Sequence, residues 1–202
     1  MGYSYDAVDA EIKWTEVFCN GGPLPRLMSV QGDIHDSRGL PYYRHPIDED
    51  GPPVVSWTPL IEKIKIQLED EYKQSLNHCI IQKYRNGSDF IGRHSDKTID
   101  ILENSRILNF SLGATRYLEL RDKKTKIIQL VPLLDNSVFV LDWEMNKRCT
   151  HAIKKDHTLQ SPRISLTFRT IATFKLPNGT ITGQGGNLSR KEIFDSFHKD
   201  NN

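Results

Sequence analysis

Short segments rich in β-branched and aromatic residues fill much of the chain after residue 78, and they constrain the fold more than any other feature. They lie at Cys79–Tyr84, Arg106–Leu112, Arg116–Leu120, Ile127–Val131, Ser137–Leu141 and Arg163–Phe174. Many short strands after one helix predict a mainly β fold with a flanking helix, built as a double-sheet jelly roll or double-stranded β-helix. Such a fold keeps a cavity between its sheets, which suits ligands that project inward from different strands.

The flanking helix is predicted from its start signals and its apolar stripe. Thr58 offers a capping hydroxyl, Pro59 falls in the first turn, and the stripe consists of Leu60, Ile61, Ile64 and Leu68. These features are typical of an amphipathic helix and its N-terminus. We expect this helix to end at about Gln74 and to pack on a sheet.

The chain is expected to form one structural domain with three parts. Its 202 residues are enough for one real core but too few for two independent ones. Residues 1–56 contain many turn-forming Gly and Pro residues and are interpreted as a loop-rich lid with short strands. Residues 57–175 are predicted to form the β core, and the Gly- and charge-rich residues 176–202 a tail that is disordered in part.

Bulk composition says little about the binding partner. The formal net charge is +1, so a basic surface for nucleic acid would have to be local. Cys19, Cys79 and Cys149 are odd in number and widely spaced, which argues against a disulfide framework and favours a reducing compartment. Neither a signal peptide nor an apolar run of membrane-spanning length is found. We expect a soluble, intracellular monomer of the nucleus, the cytoplasm or both, without a membrane partner.

His94 and Asp96 form a candidate metal-binding pair. In an extended segment alternate side chains share a face, so these two would point the same way, roughly 6–7 Å apart along the backbone. Two His and one carboxylate on one side of an octahedron leave positions open, as in non-haem Fe(II) oxygenases. The third ligand would come from His151 or His157, which both lie between the last predicted strands.

The segment Pro162–Thr170 alternates strictly between polar and apolar side chains. The polar face of this predicted strand carries Arg163, Ser165, Thr167 and Arg169. On its own the pattern fits an antiparallel edge strand with its polar face in water. Next to a metal site it also fits a strand whose arginines face a cavity and bind a dicarboxylate, because guanidinium and carboxylate pair in a forked geometry.

Taken together, these residues resemble the AlkB family of Fe(II)- and 2-oxoglutarate-dependent dioxygenases. The family pattern is His-x-Asp, a distant His, and an Arg-x-x-Leu-Thr-Phe-Arg strand, which Arg163–Arg169 fits. The segment Tyr84–Asp96 is similar to the family's approach to the metal, with a tyrosine ten residues before the first ligand. The resemblance covers roughly residues 14–175.

The resemblance implies an Fe(II) site. Its ligands would be His94, Asp96 and His151, since His151-Ala152-Ile153 is similar to the family's third-ligand segment. His157, by contrast, lies in a polar run that is better interpreted as a solvated turn.

The resemblance also implies a 2-oxoglutarate site. Arg163 and Tyr84 would bind the distal carboxylate, and Arg169 would help to fix the other carboxylate and the metal ligands. Gln82 and Ser165 stand where the family usually has Asn, and both side chains can still form hydrogen bonds.

The implied reaction is oxidative dealkylation of N-alkylated bases in DNA or RNA. 2-Oxoglutarate and O2 are converted to succinate and CO2 while a C–H bond of the substrate is hydroxylated. A hydroxylated N-methyl group then leaves as formaldehyde, so no further acid–base pair is needed. The damaged base would be drawn out of its stack into the cavity.

The lid would supply substrate-binding groups. Phe18 begins a segment similar to the loop with which some duplex-DNA members fill the gap left by a flipped base; alternatively, Phe18 is buried under the lid. The segment containing Tyr42, Tyr43 and Arg44 resembles the family's lid strand, with Arg44 at the base-stacking position, where Tyr43 or His45 could substitute. Thr98 stands where the DNA-repair members carry an acid.

Two other functions remain open. Thr98 and Arg44 would also allow an Fe(II)/2-oxoglutarate enzyme that hydroxylates or demethylates a protein or a small molecule. A non-catalytic nucleic-acid-binding module on a degenerate barrel is the third hypothesis, and the intact ligand and arginine set speaks against it. Basic runs at 121–126, 147–148 and 154–155 fit either phosphate contacts along the cavity rim or solvated hairpin tips.

Overall fold

The strands form the bulk of the protein. A computed structural model describes residues 2–19, 22–35, 37–44 and 51–198. The strands in chain order are β1 (Thr15–Cys19), β2 (Gly22–Gly32), β3 (Leu40–Pro41), β4 (Val54–Val55), β5 (His78–Tyr84), β6 (Ile91–His94), β7 (Ile107–Gly113), β8 (Arg116–Asp122), β9 (Ile128–Leu133), β10 (Ser137–Leu141), β11 (Cys149–Ile153), β12 (Arg163–Arg169), β13 (Thr173–Lys175) and β14 (Ile181–Gly183). The helices are α1 (Tyr5–Glu11), α2 (Pro59–Tyr72), α3 (Trp143–Arg148) and α4 (Arg190–His198).

Two large sheets face each other, which confirms the predicted jelly roll. The first has the order β1-β2-β5-β12-β7-β10, with β4 added to β2, and the second has the order β6-β11-β8-β9. Their inner faces meet in a buried cluster that joins Tyr84 of the first sheet to Leu118, Leu133 and Ile153 of the second. A small third sheet, β14-β13-β3, brings the C-terminal part of the chain against residues 40–41.

The predicted helix is present as α2 and covers the outer face of the first sheet. Its apolar stripe, Ile61, Ile64 and Leu68, is fully buried against the outward side chains of β5, β7 and β12. Burial contributes roughly 1.5–3 kcal/mol for each such side chain. The helix ends at Tyr72, because Lys73 adopts the left-handed conformation with φ 49°. Thr58 does not cap the helix with its side chain; its hydroxyl contacts Gln31 instead.

Strand β12 is central in its sheet, so the interpretation of this segment as an edge strand is wrong. It pairs with β5 on one side and with β7 on the other. Ile164, Leu166 and Phe168 lie in the helix-covered core. The opposite row, which begins with Arg163 and ends with Arg169, faces the space between the two sheets.

Other predicted boundaries differ from the structure. The segment Arg163–Phe174 is two strands, β12 and β13, which belong to different sheets. Between them Ile171 pairs with Ile101 and donates its backbone N–H to Asn77, so the chain leaves the first sheet there. The segment 1–56, expected to hold only short strands, contains the eleven-residue β2 of the first sheet. None of the described helices is both long and apolar enough to cross a membrane.

Candidate metal centre and co-substrate cavity

The paired strands β6 and β11 bring two histidines together. His94 ends β6, and His151 is its Cα partner across the antiparallel pair. The two imidazole centroids lie 4.3 Å apart. Asp96 follows two residues after His94, and one ligand atom from each of the three side chains lies within 4.8 Å of the other two. Within the described ranges this is the one group of three or more His, Cys, Asp or Glu side chains able to hold a metal ion.

Both imidazoles present a ring nitrogen to this centre. Nδ1 of His94 lies 2.8 Å from the carbonyl oxygen of Gly92. A carbonyl only accepts, so Nδ1 is the donor in this contact and Nε2 is the nitrogen left for a metal. Nε2 of His151 lies 3.9 Å from Oδ2 of Asp96. Burial lowers the pKa of His151 to about 3, so this imidazole is neutral, which is the form that binds metals.

Asp96 is held at both its side chain and its backbone. Oδ1 accepts a hydrogen bond from Nη2 of Arg169 at 2.7 Å and a longer one from the hydroxyl of Tyr43 at 3.4 Å. The backbone N–H and C=O of Asp96 bond to the side-chain amide of Asn146, each at 2.9 Å. Burial acts to raise the pKa of the Asp96 carboxyl, but Arg169 and the two histidines outweigh it and hold the pKa well below its usual range. Asp96 is therefore an anion, and its Oδ2 faces His151.

The donor set matches Fe(II). Two imidazoles and one carboxylate form the facial arrangement that non-haem Fe(II) oxygenases use. Nε2 of His151 faces the carboxylate of Asp96, and its Nδ1 is buried without a hydrogen-bond partner among the described residues. His157 lies in an exposed turn after β11 and is not part of the group. Of the two third-ligand candidates, only His151 is brought to the centre.

Strands β12, β5 and β7 place a polar row next to the metal centre. Arg163 lies opposite Tyr84, and Ser165 lies opposite Gln82, across the antiparallel pair of β12 with β5. These four side chains line one cavity with the three candidate metal ligands and Arg169. The cavity has a volume of about 720 Å³. It is within the size range of small-molecule sites in proteins.

Arg163 is a buried cation, and part of its guanidinium has unused hydrogen-bond donors. Its Nη2 donates to Ser111 Oγ at 2.8 Å and to Asn109 Oδ1 at 3.1 Å. Its Nε and Nη1 are buried and have no hydrogen-bond partner among the residues that the structure describes. Burial lowers the pKa of Arg163 to about 10, so it remains charged at neutral pH. Buried charges are costly unless they are paired. A carboxylate would supply the missing partner, and 2-oxoglutarate therefore fits this end of the cavity.

The aromatic ring of Tyr84 packs beside the same guanidinium. Its centroid lies 5.4 Å from Cζ of Arg163, and its hydroxyl donates to Oε1 of Gln82 at 3.3 Å. Ser165 accepts a hydrogen bond from Nδ2 of Asn109 at 2.7 Å. All of the residues predicted to bind 2-oxoglutarate are thus brought to the cavity, and their role in binding it remains a prediction.

The predicted substrate residues are not all at the cavity. Tyr43 and Arg44 line it, whereas Tyr42, Thr98 and Phe18 do not. The guanidinium of Arg44 is paired with the buried Asp100. If Arg44 stacks on a substrate base, it would have to do so while it remains paired with Asp100.

The side chain of Phe18 is 52% exposed, so the alternative that buries it under the lid is wrong. His45 lies outside the described residues. The basic run 121–126 spans the turn between β8 and β9.

Three polar residues of the site were missed from the sequence. Asn109 and Ser111 contact Arg163, and they alternate with buried Leu108, Phe110 and Leu112 along β7. The same alternation that marked β12 could have identified them. Asn146 lies in the short helix α3, fifty residues from Asp96, and no local pattern marks it.

Comparison with known proteins agrees with this geometry. The family model of the 2OG-Fe(II) oxygenase superfamily matches residues 4–169. The human protein named DNA oxidative demethylase ALKBH2 is 27% identical over 168 residues, which cover 79% of this chain and 62% of that protein. The bovine alpha-ketoglutarate-dependent dioxygenase alkB homolog 3 is 29% identical over 156 residues, covering 73% and 52% of the two chains. The chain thus spans about half to two thirds of the length of these curated relatives.

Solved structures share the fold. The structure described as that of OsALKBH1 matches with a TM-score of 0.52 at 18% identity, covering 82% of this chain and 89% of that one. An oxidoreductase of the 2OG-Fe(II) oxygenase family from Burkholderia pseudomallei matches with a TM-score of 0.51 at 13% identity, covering 82% and 76%. At these identities the likeness extends to the fold alone.

Proposed function

Because the chain belongs to the 2OG-Fe(II) oxygenase superfamily and is AlkB-like, we propose that it oxidatively dealkylates N-alkylated bases in DNA or RNA. One observation carries the proposal: the group of His94, Asp96 and His151 and the incompletely paired Arg163 open into the same cavity. A metal and a dicarboxylate held in one cavity are what this chemistry requires.

The residues present determine how the co-substrates would be held. Fe(II) would be bound by His94, Asp96 and His151, and 2-oxoglutarate by Arg163 with Tyr84, Gln82 and Ser165. Fe(II), 2-oxoglutarate and O2 together supply the oxidation of a substrate C–H bond, with succinate and CO2 as the other products. The protein contributes binding and orientation, and it needs no general base of its own.

The chain's own side chains would position the co-substrate and the metal ligands and exclude water from the cavity. Arg163 offers two donors to a carboxylate, and its other bonds to Asn109 and Ser111 fix the plane of the guanidinium. Arg169 keeps Oδ1 of Asp96 occupied, so that Oδ2 remains for the metal. The apolar part of the cavity wall limits access of water, and it includes Met28, Ile80, Ile107, Leu118, Leu133 and Phe139.

The names of the relatives support a nucleic-acid substrate. ALKBH2 is named a DNA oxidative demethylase. Phe18 is exposed at the end of β1, next to the cavity-lining Cys19, which suits contact with an unstacked duplex. The proposal includes a monomer that acts inside the cell, in the nucleus, the cytoplasm or both, with residues 1–56 as the substrate-recognition lid of the catalytic core 57–175.

A second candidate is a 2-oxoglutarate-dependent hydroxylase or demethylase of a protein or small molecule. The structure does not favour base contact at two positions to which the resemblance assigns it. The guanidinium of Arg44 is paired with Asp100, and Thr98 does not line the cavity. Its chemistry would be the same, so only the substrate separates the two candidates.

The test is a mass-spectrometric assay of purified protein with Fe(II) and 2-oxoglutarate. Single- and double-stranded oligonucleotides carrying 1-methyladenine or 3-methylcytosine are the substrates, and succinate, formaldehyde and loss of the methyl group are all recorded. The proposal expects the three products in equal amounts. Succinate without methyl loss on DNA or RNA would contradict a nucleic-acid substrate and favour the second candidate. If neither succinate formation nor methyl loss is detected, the result would favour a non-catalytic binding module. Asp96→Ala serves as the inactive control, and His157→Ala as the matched active one.

A further inference from the structure

Three consecutive lid residues are fixed by the C-terminal part of the chain and by the loop that follows Asp96. The backbone N–H of Tyr42 donates to the carbonyl of Thr173 at 2.8 Å. The backbone N–H of Arg44 donates to Oδ2 of Asp100 at 2.9 Å, and its Nη2 donates to the carbonyl of Gly185 at 2.8 Å. The backbone on both sides of Tyr43 is therefore held in place.

The ion pair between Arg44 and Asp100 is buried and tightly surrounded. The side chain of Asp100 is 0% exposed and that of Arg44 is 10% exposed. The backbone N–H of Gly185 donates to Oγ1 of the fully buried Thr173 at 2.8 Å. A Cβ atom on Gly185 would lie 2.5 Å from both Nη1 of Arg44 and Oδ1 of Asp100. Only glycine fits there without displacing the pair.

Gln184 fixes the metal-proximal loop directly. Its side-chain Nε2 lies 2.9 Å from the carbonyl of Ile101, 3.2 Å from that of Ile99 and 3.3 Å from that of Thr98. We call Thr173, Gln184 and Gly185 the C-terminal clamp. These residues lie beyond residue 169, where the match to the family model ends. The clamp is therefore a feature of this chain that the family match does not cover.

Tyr43 lies where the clamp and the metal centre meet. Its ring centroid is 4.7 Å from Cζ of Arg169, and its hydroxyl donates to Oδ1 of Asp96 at 3.4 Å. Arg169 donates to the same oxygen. Burial raises the pKa of the Tyr43 phenol, so at neutral pH it keeps the proton that it donates. Two donors on Oδ1 leave Oδ2 as the oxygen that faces His151.

We propose that Tyr43 is a positioning residue for Asp96, and that the C-terminal clamp places Tyr43 there through the Arg44–Asp100 pair. This inference rests on the proposed function, because it assigns Asp96 to the metal. With Tyr43 and Arg169 in place, Asp96 is held in one rotamer before metal binds. Mutation of the residues that orient metal ligands typically lowers metal affinity about 10–100-fold.

The experiment is a double-mutant cycle with Mn(II) affinity as the readout. Mn(II) binding to metal-free protein is titrated by electron paramagnetic resonance for wild type, Tyr43→Phe, Gln184→Ala and the double variant. Tyr43→Phe removes only the hydroxyl, and Gln184 is exposed, so both variants should fold. We expect each single change to weaken Mn(II) binding about tenfold. The double variant should be little weaker than either single one, because both changes act through the position of Tyr43.

Three further variants test whether the effect on Mn(II) affinity is specific to the Arg44–Asp100 pair. Asp100→Asn and Gly185→Ala disturb the buried pair itself and should give the same loss of affinity as Gln184→Ala. Asp9→Asn is the matched control, since it breaks a partly buried ion pair with Lys83 elsewhere in the fold. It should lower the melting temperature without changing Mn(II) affinity.

The possible failures are distinguishable. Unchanged Mn(II) affinity in Tyr43→Phe would overturn the positioning role. Losses that add in the double variant would overturn the link between the clamp and Tyr43. Wild-type protein that binds no Mn(II) would overturn the proposed function, and this inference with it. Failure to dealkylate any oligonucleotide would contradict only the proposed substrate. The positioning role of Tyr43 would be unaffected, since the Mn(II) affinities do not depend on turnover.

Discussion

Arg169 and Asp96, seventy-three residues apart in the chain, form a buried ion pair in which Nη2 of the guanidinium lies 2.7 Å from Oδ1 of the carboxylate. Arg169 ends β12 of the first sheet, and Asp96 follows β6 of the second. The pair therefore joins the two sheets at the candidate metal centre. It also decides which carboxylate oxygen is left for a metal.

Arg169→Gln should weaken metal binding about tenfold and destabilise the protein. Removing one partner of a buried ion pair typically costs about 3–5 kcal/mol, because the other charge is left unpaired. Orienting partners of metal ligands typically contribute about 10–100-fold to affinity. Urea unfolding and Mn(II) titration measure the two effects. Arg85→Gln, which breaks a half-exposed pair with Asp89, is the control and should leave Mn(II) affinity unchanged.

Removal of the metal should lower the melting temperature of the wild-type protein, and the ligand variants should lose this dependence. At one hundred times Kd a ligand adds about 2.7 kcal/mol of stability. For a chain of this size that corresponds to roughly 5–10 °C. His94→Ala, Asp96→Ala and His151→Ala should show no shift when Mn(II) is added and no turnover. His157→Ala should behave as wild type; loss of the shift in this variant would contradict the ligand assignment.

Arg163→Gln should raise the Kd for 2-oxoglutarate about 10–100-fold. Hydrogen bonds to charged groups contribute about 1.5–3 kcal/mol each, and each 1.4 kcal/mol is a factor of ten. Calorimetric titration of 2-oxoglutarate into the Mn(II)-loaded protein measures it. Arg163→Lys is the informative companion, because it keeps the charge without the forked geometry. An unchanged Kd in both variants would remove Arg163 from the binding site.

Asn146→Ala should weaken metal binding, whereas Asn77→Ala should not. Both asparagines form two hydrogen bonds with the backbone of one distant residue, Asn146 with Asp96 and Asn77 with Ile171. Each substitution should lower the free energy of unfolding by about 2–4 kcal/mol. Only Asn146 holds a candidate metal ligand. Equal Mn(II) affinities in the two variants would show that the Asn146 contact is structural alone.

Phe18→Ala should impair dealkylation of duplex DNA more than that of single-stranded DNA. The side chain is largely exposed, so its loss should change stability by less than about 1 kcal/mol. A wedge stabilises an unstacked base step, and a single strand has no such step to stabilise. Steady-state rates on matched single- and double-stranded oligonucleotides provide the test. The same fractional loss on both substrates would exclude a wedge role.

Local spacing determined the parts of the site whose residues are neighbours in sequence. His94 and Asp96 are two positions apart, as are Arg163 and Ser165, and side chains at that spacing in an extended chain share a face. The jelly roll followed from the series of short strands, and α2 from its apolar stripe. Each of these predictions depends on one period, two residues for strands or 3.6 for helices, which the sequence contains directly.

Tertiary structure decided how distant residues meet. The sequence favoured His151 over His157 only through the family resemblance, and the register of β6 with β11 is what brings His151 to His94. Burial of the polar face of β12 depends on its place between β5 and β7. Asn146 and Tyr43 reach Asp96 across fifty and fifty-three residues. Contacts at such separations come from how whole sheets pack, because the energy that fixes the register is spread over many side chains and leaves no pattern at the positions that meet.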